Sequence, residues 1–201
     1  MKFLLGKKIG MTMIIDEQGS TVPVTVVEAG PCTVTQIRSE EVDGYAAVQV
    51  GFGDAKKTNK PQTGHFAKAG RNVKHVKESR VSAEDTTPQL GETLDLSQFS
   101  IGDKVKISGL TKGHGFTGPV KRYGFKGGPG SHGHPSTRRV GSIGGRFPQR
   151  VIKGLRMATR WGNERNTIAG ITIVDIISDK NLLLVKGSVP GRRGTLLEIQ
   201  G

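Results

Sequence analysis

The sequence predicts a mainly-β protein: an antiparallel barrel whose chain leaves on a long, Gly-rich basic excursion and then returns. Three observations carry this. Short runs rich in β-branched residues recur between Gly, Pro and acidic turn residues. Helical periodicity is scarce by comparison. Such runs also stand on both sides of a 60-residue stretch, 104–163, that contains no Asp or Glu.

The elements follow in chain order. Phe3–Ile15, 22–27, 33–37 and 46–52 read as strands, separated by turns at Asp16-Glu17-Gln18-Gly19, Gly30-Pro31 and Asp43-Gly44. Residues 104–107 alternate Lys, Val, Lys, Ile, which is the period of a half-buried strand. Beyond the basic stretch come strands at 168–177, 182–185 and 195–199, with Asp179-Lys180-Asn181 as a hairpin turn between the first two. Many short strands with few helices suggest a barrel. The predicted domains are a β-barrel globular domain from 1–52, 91–110 and 166–201, a polar insertion at 53–90 and a basic extension at 111–165. Residues 64–70, with glycines at either end, predict a short helix in the insertion. Loops longer than about 15 residues are unusual in compact domains, and two of them suggest surfaces that order on a partner.

The composition says what kind of partner. The chain has 30 Lys and Arg against 17 Asp and Glu, a net charge of +13, and only 34% hydrophobic residues. Thirteen of the cations lie within 104–163, and the other 17 balance the 17 acids, so the whole net charge belongs to that stretch. Cations without internal anions repel one another, and phosphates placed between them relieve the repulsion. The stretch also holds 14 of the 30 glycines, which keep its backbone adaptable. A disordered basic linker would explain the charge but not the aromatic residues. Half of the chain's ten aromatics, Phe116, Tyr123, Phe125, Phe147 and Trp161, lie here among the cations. Unpaired bases stack on such rings while Lys and Arg take phosphates.

The candidate RNA-binding cations are therefore Lys112, Lys121, Arg122, Lys126, Arg138, Arg139, Arg146, Arg150, Lys153, Arg156, Arg160 and Arg165. The candidate rings are His114, Tyr123, Phe125, His132, His134, Phe147 and Trp161. For Phe116 and Phe125, packing against the barrel is an equal alternative. Trp161, flanked by Arg160 and Gly162, suits an RNA interface or a local cluster better than the main core.

Catalytic patterns are missing. Gly113-His-Gly115-Phe-Thr-Gly118 matches G-x-G-x-x-G, but Pro119 follows where a helix should begin, and no acid occurs before Glu164. His114, His132 and His134 have no nearby Cys or acid, and strong positive charge disfavours a cation site among them. The basic stretch has no carboxylate for acid–base chemistry. No enzyme, cofactor or small-molecule substrate is predicted. One cysteine, Cys32, permits neither an internal disulfide nor a Cys-based zinc site and suits a reducing compartment. The first residues lack the apolar run of a signal peptide, and no segment has the roughly 18 apolar residues of a membrane span. The expectation is a soluble intracellular protein with no membrane partner. An RNA-modifying enzyme, an assembly factor and a DNA-compacting protein are the alternatives from other classes.

A set of ordered motifs is more specific. They are Leu5-Gly-Lys-Lys-Ile-Gly-Met-Thr12, Pro23-Val-Thr-Val-Val-Glu28, Asp43-Gly-Tyr-Ala-Ala-Val-Gln49 and Gly64-His-Phe-Ala-Lys-Ala-Gly70. Then come Lys112-Gly-His-Gly-Phe-Thr-Gly118 with Val120-Lys-Arg-Tyr123, Gly141-Ser-Ile-Gly144, Gly162-Asn-Glu-Arg165 and Asn181-Leu-Leu-Leu-Val-Lys-Gly187. Together they resemble the family of protein L-three of the large ribosomal subunit, in its bacterial or organellar form. The resemblance implies a translation-protein-type β-barrel on the subunit surface and a central extension among large-subunit rRNA, toward the peptidyl-transferase region. It implies early binding in assembly, contacts with neighbouring large-subunit ribosomal proteins, and a cytoplasmic, ribosome-bound location. One segment departs from the family pattern. Where many bacterial members carry Asn-Gln-Thr-Pro-Gly, with the Gln methylated in some, this chain has Gly144-Gly-Arg-Phe-Pro-Gln-Arg150. Gln149 falls after the proline, so the modification is not carried over, and Arg146 and Phe147 suggest an altered contact at the tip. The C-terminal end at Gly201 also lacks the basic tail of some members.

Overall fold

The computed structural model describes residues 2–16, 18–81 and 88–201. Glu17 of the expected first turn and residues 82–87 of the expected insertion lie outside the described residues.

The elements in chain order are β1 (Phe3–Ile15), β2 (Thr21–Ala29), β3 (Cys32–Arg38), α1 (Glu40–Asp43), β4 (Ala47–Asp54), α2 (Lys60–Phe66), β5 (Val73–Arg80), β6 (Thr93–Leu94) and β7 (Lys104–Leu110). After these come β8 (Gly115–Thr117), α3 (Pro119–Tyr123), β9 (Thr159–Trp161), β10 (Arg165–Ile177), β11 (Leu182–Lys186) and β12 (Leu196–Gln200). The chain forms two compact units, Met1–Leu110 with Arg165–Gly201, and Thr111–Glu164.

In the first unit six strands close an antiparallel barrel in the order β1-β12-β7-β10-β11-β2. Val105 and Ile107 of β7 are buried while Lys104 and Lys106 are exposed, so the Lys-Val-Lys-Ile alternation is a barrel wall with one wet face. Ile107, Leu183, Val185, Leu197 and Ile199 are fully enclosed. Each such side chain contributes about 1.5–3 kcal/mol on leaving water. Asn181 closes the β10–β11 turn in the left-handed region at φ 53°, which Asn tolerates better than most residues.

The strands expected at 33–37 and 46–52 are present but do not belong to the barrel. β2 ends at Ala29, Gly30 with φ 75° turns the chain, and β3 begins a second sheet of order β5-β4-β3-β6. Both faces of β1's first turn of sequence, Phe3 to Leu5, are buried because the barrel and this sheet share one core with Val34, Val48 and Val50. Cys32 sits in that core, its Sγ 3.4 Å from both the Leu5 amide and the Leu5 carbonyl.

The polar stretch after β4 carries more structure than expected. The helix starts earlier than 64–70, at Lys60, because the Gln62 side chain accepts the Asn59 amide at 3.2 Å and caps it. A turn at Ala67–Ala69 ends it at Gly70, φ 70°. β5 then pairs along β4 from Ala47↔Arg80 to Asp54↔Val73. Gln49 ties these pieces together: its Oε1 accepts Thr35 Oγ1 at 2.8 Å and meets His65 Nε2 at 2.8 Å, while its Nε2 donates to Glu78 at 3.2 Å.

Leu110 and Arg165 are paired neighbours at the ends of β7 and β10. The whole of Thr111–Glu164 is thus inserted across one antiparallel rung.

Candidate nucleic-acid interface

The inserted unit starts with the chain doubled on itself. Thr111 N donates to Glu164 O at 2.9 Å, and Glu164 N donates to Thr111 Oγ1 at 3.2 Å. Gly162 follows in the left-handed region, φ 77°, and a Cβ there would lie 2.1 Å from Lys112 O. No other residue fits that approach. His114 N then donates to Trp161 O at 2.9 Å, and β8 and β9 pair antiparallel from Gly115↔Trp161 to Thr117↔Thr159. The His114 and Trp161 rings stack, with centroids 4.1 Å apart and planes 18° from parallel. Trp161 is half-buried in this local pair.

Pro119 does not prevent a helix; it begins one. α3 runs from Pro119 to Tyr123 and ends on Gly124, φ 71°. Proline at a first helical position loses only an amide that would have no partner, so the expectation of no helix after the glycines was wrong on that point. The dinucleotide pattern still does not form. The strand before the motif, β7, pairs antiparallel with β10 and β12 instead of leading a parallel βαβ unit, and a further strand, β8, lies inside the motif.

Tyr123 is the centre of a second cluster. The Arg122 guanidinium lies 5.0 Å from its ring centroid and that of Arg156 lies 5.8 Å away, with the Phe125 ring at 6.0 Å. Arg122 Nη1 also donates to Arg160 O at 2.8 Å, which ties α3 to β9. Between Tyr123 and Thr159 no helix or strand forms. Local bonds shape this stretch instead: Gly128 N to Thr137 O at 2.9 Å, and Ser136 N to His134 Nδ1 at 3.3 Å. His132 occupies the left-handed region at φ 62°. Residues 141–151 are all exposed. Phe147 is 73% exposed, with the Arg146 guanidinium 5.7 Å from its ring.

Two cavities open on this unit. One of about 270 Å³ is lined by residues that include His114, Phe116, Pro119 and Arg138. The other, about 780 Å³, lies within 124–141. Phe116 is 78% exposed. Phe125 is half-buried at the larger cavity.

Lys112, Lys121, Lys126, Arg138, Arg139, Arg146, Arg150, Lys153, Arg156 and Arg160 are exposed, and Arg122 is half-buried. Among the described residues the ion pairs all fall in the barrel-containing unit, and none involves these cations. Arg165 differs from its expected place. It is the first residue of β10, in the barrel unit, and its guanidinium pairs with Glu198. The same Glu198 receives Lys77 at 3.4 Å.

Unpaired guanidiniums and ammoniums beside exposed rings can take phosphates and bases together. Ser136 and Val140, which the sequence did not single out, also line the larger cavity, and Thr137 O accepts Gly128 N beside it. Their residue types carry no signal for such a role.

Comparison with known proteins is consistent with that chemistry. A family model described as Ribosomal protein L3 matches residues 67–181. The chain is similar to the protein named large ribosomal subunit protein uL3 of Synechococcus sp. (strain CC9902), with 49% identity covering 98% of this chain and 92% of the relative. It is 50% identical to that of Synechococcus elongatus (strain ATCC 33912 / PCC 7942 / FACHB-805), over 98% of this chain and 93% of the relative. It is 48% identical to that of Prochlorococcus marinus (strain MIT 9313), over 98% and 92%.

Proposed function

The chain belongs to the ribosomal protein L3 family, and on that premise we propose that it binds large-subunit rRNA chiefly through Thr111–Glu164. As a member it is a structural constituent of the large ribosomal subunit and not an enzyme. One observation carries the finer reading. The inserted unit holds eleven Lys and Arg against a single acid, Glu164, and none of those cations is ion-paired among the described residues. Such a surface gains most where converging RNA strands bring phosphates close to one another. The exposed rings of Phe116 and Phe147 and the half-buried Tyr123, Phe125 and Trp161 offer stacking faces for unpaired bases. His114, His132 and His134 add imidazoles to the same surface.

In this reading the barrel sits in the cytoplasmic ribosome among neighbouring large-subunit proteins, and the inserted unit approaches the peptidyl-transferase region. Arg146 and Phe147 lie in its exposed stretch 141–151.

Sedimentation tests the assignment. The protein should remain with the large subunit through a high-salt wash, and ultraviolet crosslinks from Trp161 or Phe147 should map to large-subunit rRNA. Release by the wash would favour a visiting assembly factor or RNA-modifying enzyme. Equal affinity for duplex DNA and rRNA fragments would favour a DNA-compacting protein.

A further inference from the structure

We propose that the larger cavity of the inserted unit captures one RNA base turned out of its helix. This rests on the RNA-binding reading above and specifies a ligand for one part of the surface.

The cavity, at about 780 Å³, lies within the roughly 300–1,000 Å³ of clefts that enclose a small ligand. Its walls combine four glycines, at 124, 127, 128 and 141, with two rings, Phe125 and His134, and one guanidinium, Arg139. Where glycines form a wall, the backbone amides and carbonyls have no side chains covering them, and a base edge can reach them. Aromatic faces and guanidinium planes are the two surfaces on which proteins stack single bases. No carboxylate lines the cavity, so an amine or a metal ion has no counter-charge there. Lys126 at the same wall suits the phosphate that must accompany a base.

The cavity is also formed before anything enters it. A Cβ at Gly127 would lie 2.3 Å from Thr137 O, and one at Gly128 would lie 2.6 Å from His134 Cε1. The first approach brings the two sides of the 124–141 loop into backbone contact, which the Gly128 N to Thr137 O bond locks, and the second seats the His134 ring on Gly128. Its shape therefore depends on main chain more than on mobile side chains. The smaller cavity lacks this construction, and at about 270 Å³ it falls short of the size range.

The test uses large subunits carrying the full-length protein. Dimethyl sulfate, kethoxal and a water-soluble carbodiimide together report on the pairing edges of all four bases. Phe125→Ala removes the stacking face, and Val140→Trp fills the space without removing a wall. Each should expose the same single nucleotide, with at least about a fivefold gain in reactivity, the factor expected for one lost base–ring stack. The rest of the protein's footprint should not change. In a third arm, p-benzoylphenylalanine in place of Phe125 should crosslink to that nucleotide on irradiation. A preserved footprint with no nucleotide gaining reactivity, or crosslinks to protein alone, would overturn the pocket and leave rRNA binding intact. Absence of any footprint from Thr111–Glu164 in the unsubstituted particle would overturn both.

Discussion

The His114 imidazole lies flat on the Trp161 indole, centroids 4.1 Å apart, directly beside the hydrogen bond from His114 N to Trp161 O. Residues distant in sequence are thus joined by ring and backbone at once, where the inserted unit begins. An aromatic pair of this kind contributes about 0.5–1.5 kcal/mol beyond its burial. His114→Ala should therefore speed exchange of the residue-114 amide by about 2- to 12-fold, with barrel amides unaffected. Native-state hydrogen exchange measures this, and an unchanged rate would show that the stack does not hold the ladder.

Phosphate contact should appear as salt dependence. If about eight phosphates are neutralised, log K for an rRNA fragment should fall against log salt with a slope of about −6 to −7. Lys153→Ala should shallow that slope by about one phosphate's share and weaken binding to unrelated RNAs equally. A slope shallower than about −2 for the unsubstituted protein would exclude extensive phosphate contact.

Limited trypsin digestion should cut the free protein first after Arg146, Arg150, Lys153 or Arg156. These lie on exposed chain with neither helix nor strand between Tyr123 and Thr159. The barrel should survive as a nicked but folded species, and bound rRNA should suppress the cuts. Equal resistance along the free chain would show that the insertion is a folded domain in its own right.

Cys32 gives a pH signature. Burial pushes its thiol from the ordinary 9.0 up to about 11, against smaller opposing effects from the Leu5 and Gly30 backbone. In the unfolded chain the thiol ionises near the ordinary value, so between those limits the unfolded state binds fewer protons. Stability from this group is therefore full below pH 9 and is lost as pH rises toward 11, by about 1.4 kcal/mol per unit. Cys32→Ala should flatten that alkaline limb in denaturant titrations, at the cost of a lower plateau. The native thiol should also resist thiol reagents at pH 8 until the protein unfolds. A limb equally steep in the variant would assign the pH dependence to other groups.

The barrel strands were legible because their pattern is local. β1 occupies the range its β-branched run indicates, and the Asp179-Lys180-Asn181 turn falls between β10 and β11 as its residues suggest. Sheet membership was not legible, because the pairing of β3 and β4 with each other rather than with the barrel depends on where Gly30 sends the chain. β5 escaped notice for a different reason. Its sequence, Val-Lys-His-Val-Lys-Glu-Ser-Arg, suits an edge strand, charged on one side and burying only Val73 and Ser79 fully. In the inserted unit, charge placement pointed to cations that are exposed. It could not show that Arg165 belongs to Glu198, or that Arg122 is partly spent on the Arg160 carbonyl.

Leu110 and Arg165 face one another across a single rung of the barrel, so everything between them is, to the barrel, one loop. Closing a loop costs only slowly more as it lengthens. The barrel can therefore reach its native form on the timescale of its own strands, whatever becomes of the residues it carries. A basic segment hung on one rung is thus separable from the scaffold that carries it: either can change without the other being remade.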